Sequence, residues 1–324
     1  MSARECRPDV LIIGAPKAGT SALHAALAQH PQIYASPVKE PKYYMCWDVP
    51  PPGYRGPGDA HSNLEWIWRR ADYEALFRDA AENAVRLEST PFYLCMPGAR
   101  HRIAEELPEA KLIIIVRDPI DRAYSNWMHL WVDGLEPISD FVEAWHAEDR
   151  RIAVGWAPFW HYRRLGRYGE QLADLFRLVE RKRVLVLRYW QLVSHPDETL
   201  NRVAHFLGIA EDQVTTIPPD NARPFVEPGL RASVLGHVIR AGVTAARHAP
   251  PQVWRRASKP LVSLLQHGGP TRRPKLAPEQ RTALLGDCLD GIALLEETLG
   301  ESFEDWRSAA GRGSFAERTQ TAQS

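Results

Sequence analysis

Short apolar runs rich in β-branched residues recur along the chain, and amphipathic segments of helical period separate them. The apolar runs predict four strands: Val10–Gly14, Val85–Glu88, Lys111–Arg117 and Val184–Arg188. The intervening segments predict five helices: Thr20–Gln29, Asp72–Ala84, Ala99–Glu106, Ile138–Arg150 and Tyr168–Lys182. Strands that alternate with helices indicate an α/β fold, in which helices flank a central parallel sheet. Ligands of such sheets bind beyond the carboxyl ends of the strands, so the residues that follow each strand are the candidates for a site.

Composition narrows the class of protein. The chain has 324 residues, 44% hydrophobic, with 40 basic and 40 acidic side chains. This is enough for the core of one large domain, and the zero net charge argues against a general nucleic-acid or membrane-surface binder. The four cysteines form no CxxC pair, so no zinc site is expected. There is no signal peptide and no apolar run near the roughly 20 residues of a membrane span, so we expect a reduced, cytoplasmic protein.

Three segments depart from the α/β pattern. Pro50–Gly58 is rich in proline and glycine and is predicted to be a loop. Gly229–Leu276 contains nine Lys or Arg and no Asp or Glu, and is predicted to be a basic, helical insertion or cap. Its first part has apolar residues at 230, 234, 235, 238 and 239, which predicts an amphipathic helix. It could cap a pocket, bind an anionic lipid-like molecule or be a solvated helix. Residues 308–324 are predicted to be a disordered tail after a single domain at 8–307.

The segment "GAPKAGTS", Gly14–Ser21, joins the first strand to the first helix and has the layout of a phosphate-binding loop. Glycines let backbone amides approach an anion, the helix N-terminus offers unpaired N–H groups, and Lys17 adds a point charge. In the nucleotide triphosphatase pattern GxxxxGK[ST], however, Thr20 would occupy the lysine position. No acidic Mg²⁺ ligand is evident at a strand end either. The loop therefore fits a phosphate-bearing ligand bound without a metal better than ATP, unless it is only a turn between strand and helix.

A second anion site is predicted in "RDPIDRAYS", which follows the Lys111 strand. Arg117 and Ser125 can converge on one phosphate, with the arginine making fork-like hydrogen bonds. The alternative is a local ion pair of Arg117 with Asp118 or Asp121. Taken together, two anion sites at two strand ends favour a nucleotide that carries separate 5′ and 3′ phosphates.

These motifs resemble those of the sulfotransferases that use 3′-phosphoadenosine 5′-phosphosulfate (PAPS). The family's P-K-x-G-[ST]-[ST] loop is matched by Pro16, Lys17, Ala18, Gly19, Thr20 and Ser21, and its R-x-P-x-x-R-A-x-S motif by Arg117 to Ser125. Further matches, in the same order as in the family, are "KEPKYY", "STPFY", "GRYGEQLADLF", "HPDETLNRVAHFLGI" and the run from Leu276 to Trp306. The resemblance spans about residues 8–307 and is strongest to the bacterial and carbohydrate-type branch.

The resemblance implies a P-loop-type three-layer fold and sulfonate transfer from PAPS, without a metal, to a hydroxyl of a small-molecule, glycolipid or carbohydrate acceptor. In the family the loop lysine, here Lys17, reaches the oxygen that bridges phosphate and sulfonate. Glu40 matches the position of the base in the heparan-type branch. A basic loop before the closing helices clamps the 3′-phosphate, which suggests Arg272 and Arg273. Ser89 replaces the lysine of the heparan-type "SPxY" region, which argues against a polyanionic sugar acceptor.

Several assignments stay open on the sequence alone. His24, His129 and His161 rival Glu40 as the base, and Glu40 could instead be an exposed carboxylate paired with Lys39 or Lys42. Tryptophans flank the predicted site and could form either acceptor walls or core: Trp47, Trp127, Trp131, Trp156 and Trp160.

Two other functions compete with sulfonate transfer. One is a P-loop kinase, and the other is a nucleotide-binding module that has lost catalysis. The acceptor's identity and the oligomeric state are not specified by the sequence.

Overall fold

A single parallel sheet organises the computed structural model, which describes residues 6–218, 225–246, 250–267 and 274–308. Within these residues the sheet has five strands, in the order β2-β3-β1-β4-β5. The strands are β1 (Val10–Gly14), β2 (Ile33–Ala35), β3 (Val85–Ser89), β4 (Lys111–Val116) and β5 (Val184–Arg188). All four pairings are parallel. The α/β prediction is therefore confirmed.

Helices flank the sheet and connect its strands. They are α1 (Thr20–Leu27), α2 (Tyr43–Cys46), α3 (Asp59–Asn63), α4 (Arg70–Ala75), α5 (Pro97–Glu106), α6 (Pro119–Val132), α7 (Phe141–His146), α8 (Glu148–Ala153), α9 (Tyr168–Leu178), α10 (Tyr189–Ser194), α11 (Pro196–Leu207), α12 (Leu230–Ala245), α13 (Pro251–Gln266), α14 (Pro278–Leu285) and α15 (Leu289–Leu299). Short 3-10 turns lie at Pro158–Trp160, Arg164–Gly166, Arg181–Arg183, Gly286–Cys288 and Glu304–Trp306.

The central strands are apolar along their whole length because helices cover both of their faces. β1 is buried at every position, and β4 at every position after Lys111. β1 lies between β3 and β4, with Val10 opposite both Leu87 and Lys111. The loop after β1 therefore starts in the middle of the sheet, next to the ends of β3 and β4.

The structure corrects several predicted boundaries. β2 was not predicted, since three half-buried residues at a sheet edge give no clear alternation. The predicted helix Asp72–Ala84 ends at Ala75 and continues in turns, in which Phe77 N–H bonds the Glu74 carbonyl and Ala80 N–H bonds the Phe77 carbonyl. Two further predicted helices differ from the observed ones. The predicted helix Ile138–Arg150 divides into α7 and α8, and the predicted helix Tyr168–Lys182 ends at Leu178.

Polar side chains contact the two short helices in different ways. Asp140 begins α7 by accepting the Glu143 N–H at 2.8 Å. The Glu148 carboxylate, in the first turn of α8, is buried and accepts the backbone N–H groups of Arg163 and Arg164. α7 therefore has a side-chain cap, whereas α8, which begins after Ala147, has none and is instead bonded through Glu148 to the 163–164 segment.

The basic segment forms two helices, α12 and α13, where the sequence predicted one. The predicted apolar face of α12 is buried only in part. Of its five residues, Leu230, Val234 and Val238 are exposed at 84%, 53% and 46%, whereas Leu235 packs against the core and Ile239 is buried. The buried positions are Ala232, Gly236, Ile239 and Val243, so small residues complete the inner side and the pattern of large apolar residues identifies only part of it. Residues 309–324 of the predicted tail lie outside the described residues.

Among the described residues, no helix combines the length and the apolar character that a membrane span requires. The described residues also contain no group of three or more His, Cys, Asp or Glu side chains that is arranged to hold a metal ion.

Candidate active site

A cavity of about 400 Å³ lies where four of the strands end. It is lined by residues that follow β1, β3, β4 and β5, among them Lys17, Phe92, Arg117 and Tyr189. The cavity therefore lies at the carboxyl edge of the sheet, where ligands of such sheets bind.

The loop between β1 and α1 is shaped by two glycines. A Cβ on Gly14 would lie 2.6 Å from the Leu94 side chain, and one on Gly19 would lie 3.0 Å from Leu192. Gly19 also has a φ of 91°, and Lys17, at the crown of the loop, has a φ of 66°. The loop therefore turns tightly into α1, which begins at Thr20. The first N–H groups of a helix have no acceptor inside it and form its positive end, and here they belong to residues that line the cavity.

Arg117, directly after β4, connects the two predicted anion sites. Its guanidinium donates to the Lys17 carbonyl at 3.0 Å and stacks on the ring of Tyr189, 4.5 Å from the centroid. The predicted alternative partners, Asp118 and Asp121, pair with Arg281 instead. Arg117 thus supports the crown of the loop and lines the cavity.

Ser125 lines the same cavity from α6. This helix starts at Pro119, and Asp118 caps it by accepting the N–H groups of Ile120 and Asp121 at 2.9 and 3.0 Å. The Arg281 guanidinium donates to the carboxylates of Asp118 and Asp121, which fixes the start of the helix. Ser125 is therefore presented beside Arg117 by a firmly capped element.

Glu40 and Lys42 line the cavity from the segment that follows β2. Both have a positive φ, 60° and 63°, a conformation that is costly for residues with a side chain and is often found at functional sites. The Glu40 N–H is held by the Ser89 carbonyl at 3.0 Å, at the end of β3. Its carboxylate bonds the Lys39 ammonium at 2.8 Å and remains 28% exposed. Burial lowers the pKa of Lys42, whose ammonium lies over Trp66, 5.2 Å from the ring centroid.

Two loops far apart in sequence are fastened together to form another wall of the cavity. The Asp59 carboxylate accepts the N–H groups of Gly56 at 2.7 Å and Ala157 at 2.9 Å, and the indole N–H of Trp160 at 2.9 Å. Burial raises the pKa of Asp59, and these hydrogen bonds oppose that shift. Asp59, Ala157, Phe159 and Trp160 all line the cavity.

The family model described as "Sulfotransferase domain" matches residues 7–219 of the chain. The chain belongs to the sulfotransferase family. The matched region contains every strand of the sheet and both predicted anion sites.

Known sulfotransferases similar to this one come from animals and bacteria. The heparan sulfate glucosamine 3-O-sulfotransferase 6 of Mus musculus is 29% identical over 203 residues, which cover 62% of this chain and 52% of that protein. The human enzyme of the same name is 28% identical over 203 residues, with the same shares covered. The crystal structure of a sulfotransferase from Alicyclobacillus acidocaldarius superposes with a TM-score of 0.71 at 28% identity, covering 93% of this chain and 99% of that one. The chain spans about half the length of the heparan sulfate enzymes that it matches.

Most of the predicted site residues of this sulfotransferase lie together. Those that line the cavity are Pro16, Lys17, Gly19, Thr20, Ser21, Glu40, Arg117 and Ser125. Ala18 is buried in the core, and its N–H bonds the Ala15 carbonyl at 3.2 Å, so it shapes the loop from beneath. Arg272 and Arg273 lie outside the described residues.

The three candidate histidines differ in their positions. His129 lines the cavity, with its ring edge-on to Phe159 and its Nε2 atom 3.9 Å from the Asp133 carboxylate. His24 and His161 are not among the lining residues. Burial, and after it the charge of Lys39, lowers the pKa of His24 to about 4, and burial likewise lowers that of His161 to about 4.

The His24 ring bonds the Ser89 hydroxyl at 2.7 Å. Ser89 is the residue for which the motif resemblance implies a lysine in heparan-type enzymes. The neutral His24 ring and the Ser89 hydroxyl therefore lie next to Glu40, whose N–H bonds the Ser89 carbonyl.

Only one of the five predicted tryptophans lines the cavity, namely Trp160. Trp127 and Trp131 stack on each other at 5.8 Å on one side of α6 and are buried, as expected for core residues. Trp47 and Trp156 are partly buried and pack against the core.

Several lining residues were missed by sequence reasoning. They are Asp59, Ser62, Trp66, Phe92, Leu130, Leu135 and Tyr189. Tyr189 directly follows β5 and Phe92 lies in the quoted "STPFY" motif, so the strand-end rule and the motif could have identified these two. Trp66 and the Asp59 turn come from a loop region without any such signal.

Proposed function

We propose that this protein transfers a sulfonate group from PAPS to a hydroxyl of a small-molecule, glycolipid or carbohydrate acceptor, giving a sulfate ester and adenosine 3′,5′-bisphosphate. The observation that carries the proposal is the meeting of Lys17, Glu40, Arg117 and Ser125 in one cavity of a sulfotransferase domain. These residues come from three separate strand ends and one helix, and they match the chemistry of a donor with two anionic ends.

The donor end of the cavity supports binding of two phosphates. The α1 N-terminus, Thr20 and Ser21 suit the 5′-phosphate, because N–H and hydroxyl groups can surround its oxygens. Arg117 and Ser125 suit the 3′-phosphate, for which the arginine supplies a forked donor. Lys17, at the crown of the loop, suits the oxygen that bridges phosphorus and sulfur.

The acceptor end supports base catalysis by Glu40. In the proposed step an acceptor hydroxyl oxygen forms a bond to sulfur, and the bond from sulfur to the bridging oxygen breaks. Glu40 takes the hydroxyl proton, while Lys17 stabilises the negative charge that moves onto the phosphate oxygen. Positioning and charge stabilisation supply most of the rate enhancement in such displacements. The strained backbone of Glu40, fixed to the end of β3, supports this role.

The acceptor wall supports a ring-bearing or partly apolar alcohol. Met45, Trp66, Phe92 and Phe159 line the cavity beside Glu40 and Lys42. The heparan sulfate relatives act on glucosamine, and a sugar ring could also stack on these aromatic faces. As a finer proposal we favour a bacterial natural-product or glycolipid acceptor in the cytoplasm, which the four unpaired cysteines and the bacterial structural relative support.

Transfer of labelled sulfonate from PAPS to a panel of alcohols, in buffer with a metal chelator, tests the proposal. We expect transfer by the wild-type chain and a loss of about 10²–10⁴-fold in kcat for Glu40→Gln. Lys39→Gln is the matched control, because it removes the ion-pair partner of Glu40 and leaves the carboxylate in place.

Calorimetry separates the competing functions. A sulfotransferase should bind adenosine 3′,5′-bisphosphate more tightly than ATP. Mg²⁺-dependent turnover of ATP would instead show a kinase. A module that only binds nucleotide would bind the bisphosphate tightly and transfer sulfonate to no alcohol. Its affinity for the bisphosphate would be the same after Glu40→Gln.

A further inference from the structure

α12 has a second apolar stripe, which faces away from the protein. Leu230, Val234 and Val238 follow one another at intervals of four residues and are exposed at 84%, 53% and 46%. The opposite side of the helix, with Ala232 and Ile239, is buried. Residues spaced by four lie on one side of a helix, so the three exposed side chains form a continuous line.

α13 repeats this arrangement beside it. Val253 and Leu264 are exposed at 56% and 48%, whereas Leu265 is buried. The Arg231 guanidinium donates to the Leu264 carbonyl at 2.7 Å, which brings the first turn of α12 to the last turn of α13. The two helices thus form a hairpin that presents apolar side chains outward from both members.

The charge of this hairpin is of one sign. Its two helices contain five Lys or Arg and no acidic residue, in a chain whose net charge is zero. Arg240 is turned inward and donates to the Gly134 and Glu136 carbonyls, whereas Arg256 and Lys259 are exposed on α13. Outward apolar residues flanked by basic ones are the pattern of helices that lie on anionic membranes.

The hairpin also adjoins the active-site cavity. Ile239 and Leu265 pack against Gly134, next to Leu135, which lines the cavity. Trp254 lies 5.7 Å from the His61 ring, and the following residue, Ser62, is another lining residue. A surface that rested on this hairpin would therefore lie beside the cavity.

We propose that the α12–α13 hairpin is a docking surface for an anionic phospholipid membrane. The apolar stripe would enter the boundary between headgroups and acyl chains, and the basic side chains would pair with lipid phosphates. A second copy of the chain fits less well, because it would bring two acid-free, basic faces together. Docking would place the active site at the membrane surface.

Flotation of the purified full chain with vesicles tests the proposal. We expect binding to vesicles of phosphatidylcholine mixed with phosphatidylglycerol, little binding to phosphatidylcholine alone, and weaker binding as salt is added. Combining Val234→Ser with Val238→Ser should lower the partition coefficient at least about tenfold, through lost apolar burial. Combining Arg256→Gln with Lys259→Gln should lower it roughly 25-fold, at about fivefold for each charge.

Val154→Ser combined with Val193→Ser is the matched control, since both valines are exposed, at 47% and 61%, outside the hairpin. This variant should bind vesicles as the wild type does. Failure of the wild-type chain to float with anionic vesicles would overturn the proposal, as would equal flotation of all variants. So would a dimer, seen by sedimentation, that the Val234→Ser and Val238→Ser changes dissociate, because a second copy would then cover the stripe. The assay requires no turnover, so its result is independent of the proposed reaction.

Discussion

Lys17 stands at the crown of the loop in a left-handed backbone conformation, with its carbonyl bonded to Arg117. This fixes the root of the side chain at the cavity wall while the ammonium can follow the charge that develops on a leaving oxygen. A group that acts mainly in the transition state affects kcat more than ligand affinity.

We therefore predict that Lys17→Ala lowers kcat by about 10²–10³-fold, the range found when a single stabilising donor is removed. The affinity for adenosine 3′,5′-bisphosphate should change much less, because the α1 N-terminus and Arg117 remain. Single-turnover rates with labelled PAPS, together with calorimetry, provide the measurements. Unchanged turnover in this variant would exclude the assigned role.

His24 gives a residue-level prediction about pH. Burial holds its pKa at about 4, below the ordinary 6.5, so the folded state keeps it neutral while the unfolded chain takes up a proton as pH falls through 6.5. Its contribution to stability is present above pH 6.5 and is lost as pH falls towards 4, by roughly 2 kcal/mol. His24→Asn cannot titrate. The difference in free energy of unfolding between wild type and variant should therefore shrink over this window, as urea titrations at several pH values can show.

Glu88 also makes the stability depend on pH. Burial raises its pKa to about 7, so its contribution to the free energy of unfolding changes with pH in the opposite direction to that of His24. Its stabilising contribution declines as pH rises towards 7. Since it is common to wild type and His24→Asn, it cancels when the two are compared at each pH. A wild-type-minus-variant difference that does not vary with pH would show that His24 is not held neutral.

At the level of elements, α6 depends on the charges at its start. Asp118 caps the helix and is buried with Arg281, which also bonds Asp121 and the Trp306 carbonyl. These bonds connect the N-terminus of α6 to α14 and to the 3-10 turn Glu304–Trp306. Ser125 lies on α6. Removal of one member of a buried ion pair leaves the other charge without compensation.

We predict that Arg281→Leu destabilises the fold by about 3–5 kcal/mol, measured by urea unfolding. Adding Asp118→Asn should restore part of this loss, because the amide can still accept a helix N–H and carries no charge. If the double variant were as unstable as the sum of the two single variants, the ion pair would not be the cause.

The elements that sequence reasoning identified well are those with a strong local signal. β1, β4 and β5 are continuous apolar runs, and all three occur within one residue of their predicted bounds. β2 was missed because only its pairing with β3 makes it a strand. The inner face of α12 was identified only in part, because Ala232 and Gly236 share it with Ile239 and their fit depends on Gly134 and other distant partners.

At the scale of the whole molecule, the cavity joins two anion sites that lie 100 residues apart, through the bond from Arg117 to the Lys17 carbonyl. This bond supports the 5′ loop with the same side chain that is proposed to hold the 3′-phosphate. The loop and the second site are therefore expected to bind their two phosphates together.

We predict that Arg117→Ala weakens the binding of adenosine 3′,5′-bisphosphate by about 10–150-fold, the value of one charge-assisted hydrogen bond. Binding of adenosine 5′-monophosphate, which lacks the 3′-phosphate, should weaken less. Calorimetry with both nucleotides measures the difference. Equal losses would mean that Arg117 acts only through the loop.

The donor half of the site could be predicted from the sequence, whereas of the acceptor half only Glu40 and Trp160 could. Lys17, Arg117 and Ser125 follow strands that are easily recognised, so the strand-end rule and the family motifs identify them together. Trp66, Phe159 and the Asp59 turn reach the cavity from irregular segments, whose paths are fixed by single tertiary contacts. Such contacts leave no periodic pattern in the chain.

The bonds of Asp59 have a consequence for how this enzyme could acquire new substrates. One carboxylate joins the 56–59 turn to Ala157 and Trp160, so neither segment can be replaced alone without leaving a buried charge unsatisfied. The shape of the pocket can therefore change only when both loops are exchanged together, or when the substituted side chains do not contact Asp59. Libraries that vary Met45, Trp66 or Phe159 while keeping Asp59 and Trp160 should retain folded members, whereas transplanting a single loop from a relative should not.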